Sequence, residues 1–483
     1  MFDVDAPARQ SSPFSSTDRT FERLNPLTGA VATRAFAATV EDAAAAAASA
    51  AAAFPAWSAL GPAARRARLM AAADALEARE PDFLEAMAEE LGATESWSRF
   101  NVSLGAGMLR EAAAMTTSVK GEVLPSAAPG TTAFATRRPV GVVLSVAPWN
   151  APVILGMRSV AMPLACGNTV VFKASEICPR THWLIGETFR AAGFAEGVVS
   201  VVSNAPTDAS RIVEALIAHP TVRRVNFTGS TRVGRHVAEL AARHLKPVLL
   251  ELGGKAPLLV LDDADLDEAA AAAAFGAYMN QGQICMSTER LIVDEAVVDA
   301  FVGKLAARVA TLVAGDPRKG KAPLGAMIGA EAVERVLSLV RDAVAKGARL
   351  VCGGHGAGVL MDATLLDHVT PAMRIYHEES FGPVAAIIRV SGADEAVRVA
   401  NDTEYGLSAA VFGRDIARAL EVAGRIESGI CHINGPTVQD EAHAPFGGVK
   451  ASGYGRFGGA AAISEFTELR WITIRSAKGS YPI

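Results

Sequence analysis

Hydrophobic and polar positions change texture along this chain, and the change itself predicts structure. Thr39-Val-Glu-Asp42 has the spacing of a capping box, and the alanine-rich stretch behind it predicts a helix to about Phe54. A second helical pattern, rich in Ala, Arg, Leu and Glu, runs from Pro62 to about Leu91. From Arg138 onward short apolar runs alternate with helical stretches. Val142–Val146, Thr169–Phe172, Val198–Val202 and Arg224–Phe227 read as buried strands, each with a helix to follow. Val248–Glu251 and Pro257–Leu261 read as a further strand pair, and Asp262–Glu268 leads into an alanine helix. Val384–Val390 and Ala409–Phe412 continue the rhythm. Such alternation predicts an α/β fold with parallel sheets. Gly121–Thr136 and Phe466–Ile474 lack a helical period and are expected to form strands projecting from two α/β lobes.

Composition narrows the class. The 483 residues are 50% hydrophobic and 20% charged, enough for several cores and too apolar for a disordered chain. A net charge of −5 gives no basic excess for nucleic acid. Residues 1–20 carry Asp3, Asp5, Arg9, Asp18 and Arg19, so no signal peptide is expected. The uncharged stretches Ala43–Ala64 and Gly141–Met157 are interrupted by Pro55 and Gly61, and by Pro148, Asn150 and Pro152, so no membrane span is expected. Five dispersed cysteines form no C-x-x-C pair, and a reducing, cytoplasmic compartment is expected.

Several short segments carry candidate chemistry, each with a plainer alternative. Cys285 stands in Gly282-Gln-Ile-Cys-Met-Ser287, either a small buried hydrophobe or an approachable thiol on a loop. Glu251, ahead of Gly253-Gly254, is either a paired strand-end carboxylate or a general base. Ala147-Pro-Trp-Asn150 is a turn, or it places an amide donor at the carboxyl end of a parallel strand, where ligands bind. Phe227-Thr-Gly-Ser230 through Gly234 is a strand–turn–helix whose N–H groups suit a pyrophosphate, though it is neither a G-x-G-x-x-G nor a Walker A pattern. Lys173 and Glu176 start a helix and offer contacts to ribose hydroxyls; Glu378-Glu379 is surface charge or part of a site with Phe381. No metal is expected. Asp263-x-Asp265-x-Asp267 lacks the glycine and final glutamate of a calcium loop, and Cys431, His432 and His443 lack ligand spacing.

In order and spacing, Ala-Pro-Trp-Asn150, Lys173-Ala-Ser-Glu176, Phe-Thr-Gly229-Ser230, Glu251-Leu-Gly-Gly-Lys255, Gly-Gln-Ile-Cys285 and Glu379-Ser-Phe381-Gly-Pro resemble the aldehyde dehydrogenase superfamily over essentially the whole chain. The tail from Ile433 to Gly459, with Leu469-Arg-Trp-Ile-Thr473, resembles the bacterial vanillin and salicylaldehyde branch. The resemblance implies a Rossmann-type NAD-binding domain (1–120 and 138–252), an α/β catalytic domain (253–464) and a β-strand oligomerisation arm (121–137 and 465–483), in a homodimer or homotetramer. It implies oxidation of an aromatic aldehyde to the acid, with Cys285 as nucleophile, Asn150 in the oxyanion hole and Glu251 activating the hydrolytic water. Trp149, Lys173, Glu176, Gly229, Ser230, Gly234, Glu379 and Phe381 are the implied cofactor contacts. Glu176 would repel a 2′-phosphate, so NAD is expected ahead of NADP. Ile154 and Arg158 on the helix after Asn150, with Trp97, Met286, Val438 and Phe446, are expected to wall the substrate pocket. Arg158 is expected either to face a ring hydroxyl or to make a salt bridge at a domain boundary. Aliphatic or semialdehyde substrates, acyl transfer to coenzyme A, and a non-catalytic structural role are the alternatives.

Overall fold

The capping box at Thr39 forms: its hydroxyl accepts from Asp42 N–H, Asp42 returns the bond to the Thr39 N–H, and the helix runs Val40–Ser58. The structure, a computed structural model, describes residues 19–320, 322–476 and 481. Most of the segment expected to lack a signal peptide, and the end of the expected arm, lie outside the described residues. The second expected helix is two helices, Pro62–Ala78 and Glu80–Leu91, meeting at Arg79. Pro81 forces the break, because it has no N–H to donate and its ring collides with the carbonyl four residues back. A further helix, Glu95–Met115, starts from a Thr94 cap and was not expected from the pattern.

The four strands expected between residues 142 and 227 form one sheet, in the order Gly453–Tyr454, Val248–Glu251, Val222–Thr228, Val142–Val146, Thr169–Lys173, Val199–Val202. All its pairs are parallel except the one to Gly453–Tyr454. Leu144 and Val146 pack on one face against the helices Val40–Ser58 and Thr231–Arg243; Val143 packs on the other against Pro152–Ala165. Both faces are covered, which is why these strands read as unbroken apolar runs.

A second sheet has the order Arg349–Cys352, Thr364–Asp367, Val384–Val390, Thr288–Asp294, Ala256–Val260, Ser408–Phe412, Ile430–Ile433, and is parallel apart from its first strand. Here the expected pairing of Val248–Glu251 with 257–261 is corrected: the two strands belong to different sheets. Four residues cannot make the crossover that a parallel pair needs, so the chain passes through Gly253-Gly254 from one sheet to the next. A third sheet joins Glu122–Leu124, Thr131–Pro139 and Thr467–Arg475 in antiparallel register, as expected of the projecting strands. Among the described residues no helix is long and apolar enough to cross a membrane, and no cluster of ligating side chains could hold a metal ion.

Candidate active site

The carboxyl ends of Val142–Val146, Thr169–Lys173 and Val222–Thr228 open onto a cleft of about 820 Å³. Trp149, Lys173, Glu176, Gly229 and Ser230 line it, five of the eight expected cofactor contacts. Lys173 Nζ donates to Glu176 at 2.8 Å. Behind them the buried His182 accepts the Ser175 N–H on Nδ1 at 2.8 Å. Burial holds its imidazole down to about 3, so the ring stays neutral and keeps that lone pair free to accept. His182 thereby fixes the turn that carries Glu176, a role the sequence motifs did not signal. Ser230 caps the helix Thr231–Arg243, and a Cβ on Gly229 would stand 2.6 Å from the Phe227 ring. Gly234 lies against Leu252, where a Cβ would stand 2.3 Å from its side chain. It lets the helix approach the sheet instead of lining the cleft.

Where this cleft ends, Phe381 stacks edge-on against Trp149 at 5.9 Å. The Glu379 carboxylate accepts the Gly254 N–H at 2.9 Å. Burial, reinforced by the charge of Glu289, pushes Glu379 up to about 7. A Cβ on Gly253 would stand 2.7 Å from that carboxylate, so the Gly-Gly turn is what admits Glu379 here.

Beyond this junction lies a narrower cavity of about 290 Å³. All six expected substrate-wall residues line it: Trp97, Ile154, Arg158, Met286, Val438 and Phe446. Asn150 and Cys285 line it as well, so one cavity gathers side chains from five distant parts of the chain. The wall also includes Phe100 and Phe275, on the helices Glu95–Met115 and Leu266–Tyr278, which the motifs did not point to. Arg158 lies 3.8 Å above the Phe446 ring and forms a buried ion pair with Asp440. The salt-bridge expectation for Arg158 is therefore met, and the same side chain also faces the cavity.

The Cys285 loop is held at an unusual backbone. Asn280, Gln281 and Gly282 have φ of 48°, 55° and 67°, three consecutive left-handed residues. Non-glycine residues accept that conformation when their surroundings over-determine it. Here Asn280 Nδ2 donates to Asn150 O at 3.0 Å, Gln281 Nε2 donates to Ala326 O at 2.8 Å, and Thr437 donates to Met286 O at 2.7 Å. One N–H of the Asn150 amide donates to Gln283 O at 2.9 Å, leaving its second for a ligand.

Two acidic groups act on the thiol. Burial, then the charges of Glu251 and Glu379, push Cys285 up to about 12. Glu251 is 2% exposed, and neither carboxylate oxygen has a hydrogen-bond partner of normal geometry. Burial pushes it up to about 8, against the guanidiniums of Arg158 and Arg456. A buried carboxylate poised near neutrality, whose charge reaches the thiol, is suited to accept a proton.

A wide cleft at parallel strand ends and a narrower, mostly apolar cavity holding the Cys285 thiol make a layout that suits a dehydrogenase. The aldehyde dehydrogenase family pattern matches residues 14–472, and the chain belongs to that family. It is similar to a vanillin dehydrogenase of Pseudomonas fluorescens, 63% identical over 474 residues and 98% of each chain. Its fold matches the crystal structure of a salicylaldehyde dehydrogenase from Pseudomonas putida G7 complexed with salicylaldehyde, with TM-score 0.95, 50% identity and 97% of each chain covered. It also matches a betaine aldehyde dehydrogenase from Staphylococcus aureus in complex with NAD+, with TM-score 0.92, 30% identity, and 96% and 93% of the chains covered.

Proposed function

We propose that this protein oxidises an aromatic aldehyde of the vanillin, salicylaldehyde, hydroxybenzaldehyde or benzaldehyde type to its carboxylic acid, with NAD as the preferred acceptor. The observation that carries this reading is the cavity at Cys285, walled by Trp97, Phe100, Phe275 and Phe446 with one buried charge pair, Arg158–Asp440. Flat apolar walls fit a ring, and the guanidinium offers a donor to a ring hydroxyl. The names of the similar enzymes point the same way.

In this mechanism Glu251 takes the Cys285 proton, and the thiolate attacks the aldehyde carbon. The second Asn150 N–H and the Cys285 N–H meet the oxyanion that develops. When bound, the nicotinamide supplies the hydride acceptor that leaves the acyl group as a thioester. Once Glu251 has released the cysteine proton to solvent, its carboxylate draws a proton from water, which attacks the thioester; the acid leaves, and Cys285 departs as thiolate and takes up a proton again. Retention of Glu251 favours water over coenzyme A as the acyl acceptor. Lys173 and Glu176 would hold the adenine ribose, the Gly229-Ser230 turn the pyrophosphate, and Glu379 with Phe381 the nicotinamide end. These residues suit a dinucleotide, because Trp149, Lys173, Glu176, Gly229 and Ser230 line one cleft of about 820 Å³ at the carboxyl ends of parallel strands. Glu176 disfavours the extra phosphate of NADP.

The domain division set out from the sequence is retained in this reading, with 1–120 and 138–252 binding cofactor and 253–464 carrying Cys285. The third sheet ends in an edge strand, Thr467–Arg475, whose Leu469, Trp471 and Ile474 are exposed, and this supports its role in a homodimer or homotetramer. The five free thiols support a reducing, cytoplasmic setting. NADH formation with vanillin, salicylaldehyde, 4-hydroxybenzaldehyde, benzaldehyde and hexanal tests the proposal. Higher kcat/KM for the aromatic aldehydes is expected. Preference for hexanal would overturn the aromatic assignment, and acid formation only with added coenzyme A would overturn hydrolysis.

A further inference from the structure

The loop Glu378–Phe381 carries both residues assigned to the nicotinamide end, yet apart from the Glu378 N–H, which donates to Arg374 O at the end of a short helix, its backbone lies outside every sheet and helix ladder. Charged side chains from three other segments hold it instead. Lys255, fully buried, donates to Glu378 O at 2.6 Å and forms an ion pair with Glu289 on the strand Thr288–Asp294. Glu289 in turn accepts the Ser380 N–H at 2.8 and 2.9 Å and the Phe381 N–H at 3.1 Å. From the solvent side Arg335, on the helix Ala330–Ala345, donates to Glu379 O at 3.0 Å and Ser380 O at 2.6 Å. Phe381 is held at a φ of 48°, in the left-handed region. Five backbone groups of a four-residue loop are thus bound by three side chains.

A buried lysine–glutamate pair adds little net stability, because desolvating both charges offsets their attraction. What this pair does provide is a unique backbone path for the loop. We propose that Lys255, Glu289 and Arg335 are positioning residues that clamp Glu378–Phe381, so that the Glu379 carboxylate and the Phe381 ring meet the nicotinamide end in one geometry. The proposal rests on the dinucleotide reading above. None of the three lines the cavity at Cys285, so the clamp reaches the thiol only through the Glu379 charge, which the variants below retain.

Arg335→Ala, Arg335→Lys and Glu289→Gln test it, with Arg335 chosen because its exposure leaves the core undisturbed. Three quantities are read: KM for NAD against KM for aldehyde, NAD binding by quenching of tryptophan fluorescence, and hydrolysis of p-nitrophenyl acetate without NAD. The last needs the Cys285 thiol and no hydride acceptor. On the order of a tenfold rise in KM and Kd for NAD is expected in Arg335→Ala, and more in Glu289→Gln, with ester hydrolysis within about twofold of wild type. Arg335→Lys recovers only part, because an ammonium cannot fork across two carbonyls. Unchanged NAD binding in both Arg335→Ala and Glu289→Gln, or equal loss of ester hydrolysis and dehydrogenation, overturns the clamp. A wild-type protein that hydrolyses the ester but binds no NAD overturns the dinucleotide reading, and the clamp with it.

Discussion

The cleft at the strand ends and the cavity at Cys285 are built in different ways. The cleft is wide and carries a larger polar share than the cavity, and its lining comes from the consecutive strand–turn–helix units between residues 146 and 240. The cavity has about a third of that volume and is mostly apolar, and it draws on the helices Glu95–Met115, Pro152–Ala165 and Leu266–Tyr278, the Cys285 loop and the 438–446 segment. A cleft at parallel strand ends follows from local geometry, since every strand delivers its turn to the same edge. A cavity assembled from remote segments is free to change its walls without disturbing that edge. In the proposed reading, the difference teaches that the cofactor end follows from local strand geometry, while the substrate end depends on how remote segments pack.

The sharpest test of this separation is Cys285→Ala. Dehydrogenase activity is expected to fall by at least about 10⁴-fold, while NAD binding by fluorescence stays within about twofold of wild type. Loss of NAD binding as well would show the two regions to be one unit.

Glu251→Gln comes next, with a loss on the order of 10²–10⁴-fold in turnover. In the wild type the active form is the carboxylate, so turnover is expected to rise with pH through about 8, and this limb should vanish in the variant. Stability runs the other way. A folded-state value raised from 4.5 to about 8 gives stability that is fully present below 4.5 and is lost as pH rises through 8. At pH 9 the glutamine variant is therefore expected to melt above wild type, a comparison that differential scanning calorimetry can make.

Arg158→Leu probes the substrate end. It leaves Asp440 as an unpaired buried carboxylate, at a cost of about 3–5 kcal/mol, and removes the donor for a ring hydroxyl. Chemical denaturation should read the first effect, and the kcat/KM ratio of 4-hydroxybenzaldehyde to benzaldehyde should fall. An unchanged ratio would confine Arg158 to its ion pair. The smallest expected effect lies in the cleft: Glu176→Gln should narrow the preference for NAD over NADP by about tenfold with aldehyde KM unmoved.

Much of the cleft was legible because its parts are sequence-local. Val142–Val146 and the strands that follow are apolar runs ended by Pro-Trp-Asn, Lys-Ala-Ser-Glu and Thr-Gly-Ser, and each motif sits where its strand ends. Ile154 and Arg158 are read from the helix after Asn150, Met286 from the cysteine motif, Val438 and Phe446 from the tail, and Trp97 only as an apolar wall; all six line one cavity. Phe100, Phe275 and Asp440 gave no local signal, because a phenylalanine on a helix reads as core and an aspartate in a loop as surface. The break at Arg79 was readable from Pro81, and the separation of Val248–Glu251 from Ala256–Val260 from the four residues between them.

By itself the sequence determined the α/β rhythm, the capping box, the family and the candidate groups Cys285, Glu251 and Asn150, since periodicity, caps and motifs are properties of neighbouring residues. Tertiary structure alone decided that Arg158 pairs with Asp440, that Glu251 is unpartnered and raised toward neutrality, and that Lys255, Glu289 and Arg335 hold the 378–381 loop. Desolvation and ion pairing depend on which distant segments exclude water from a group, and that is settled only when the two sheets and their helices pack.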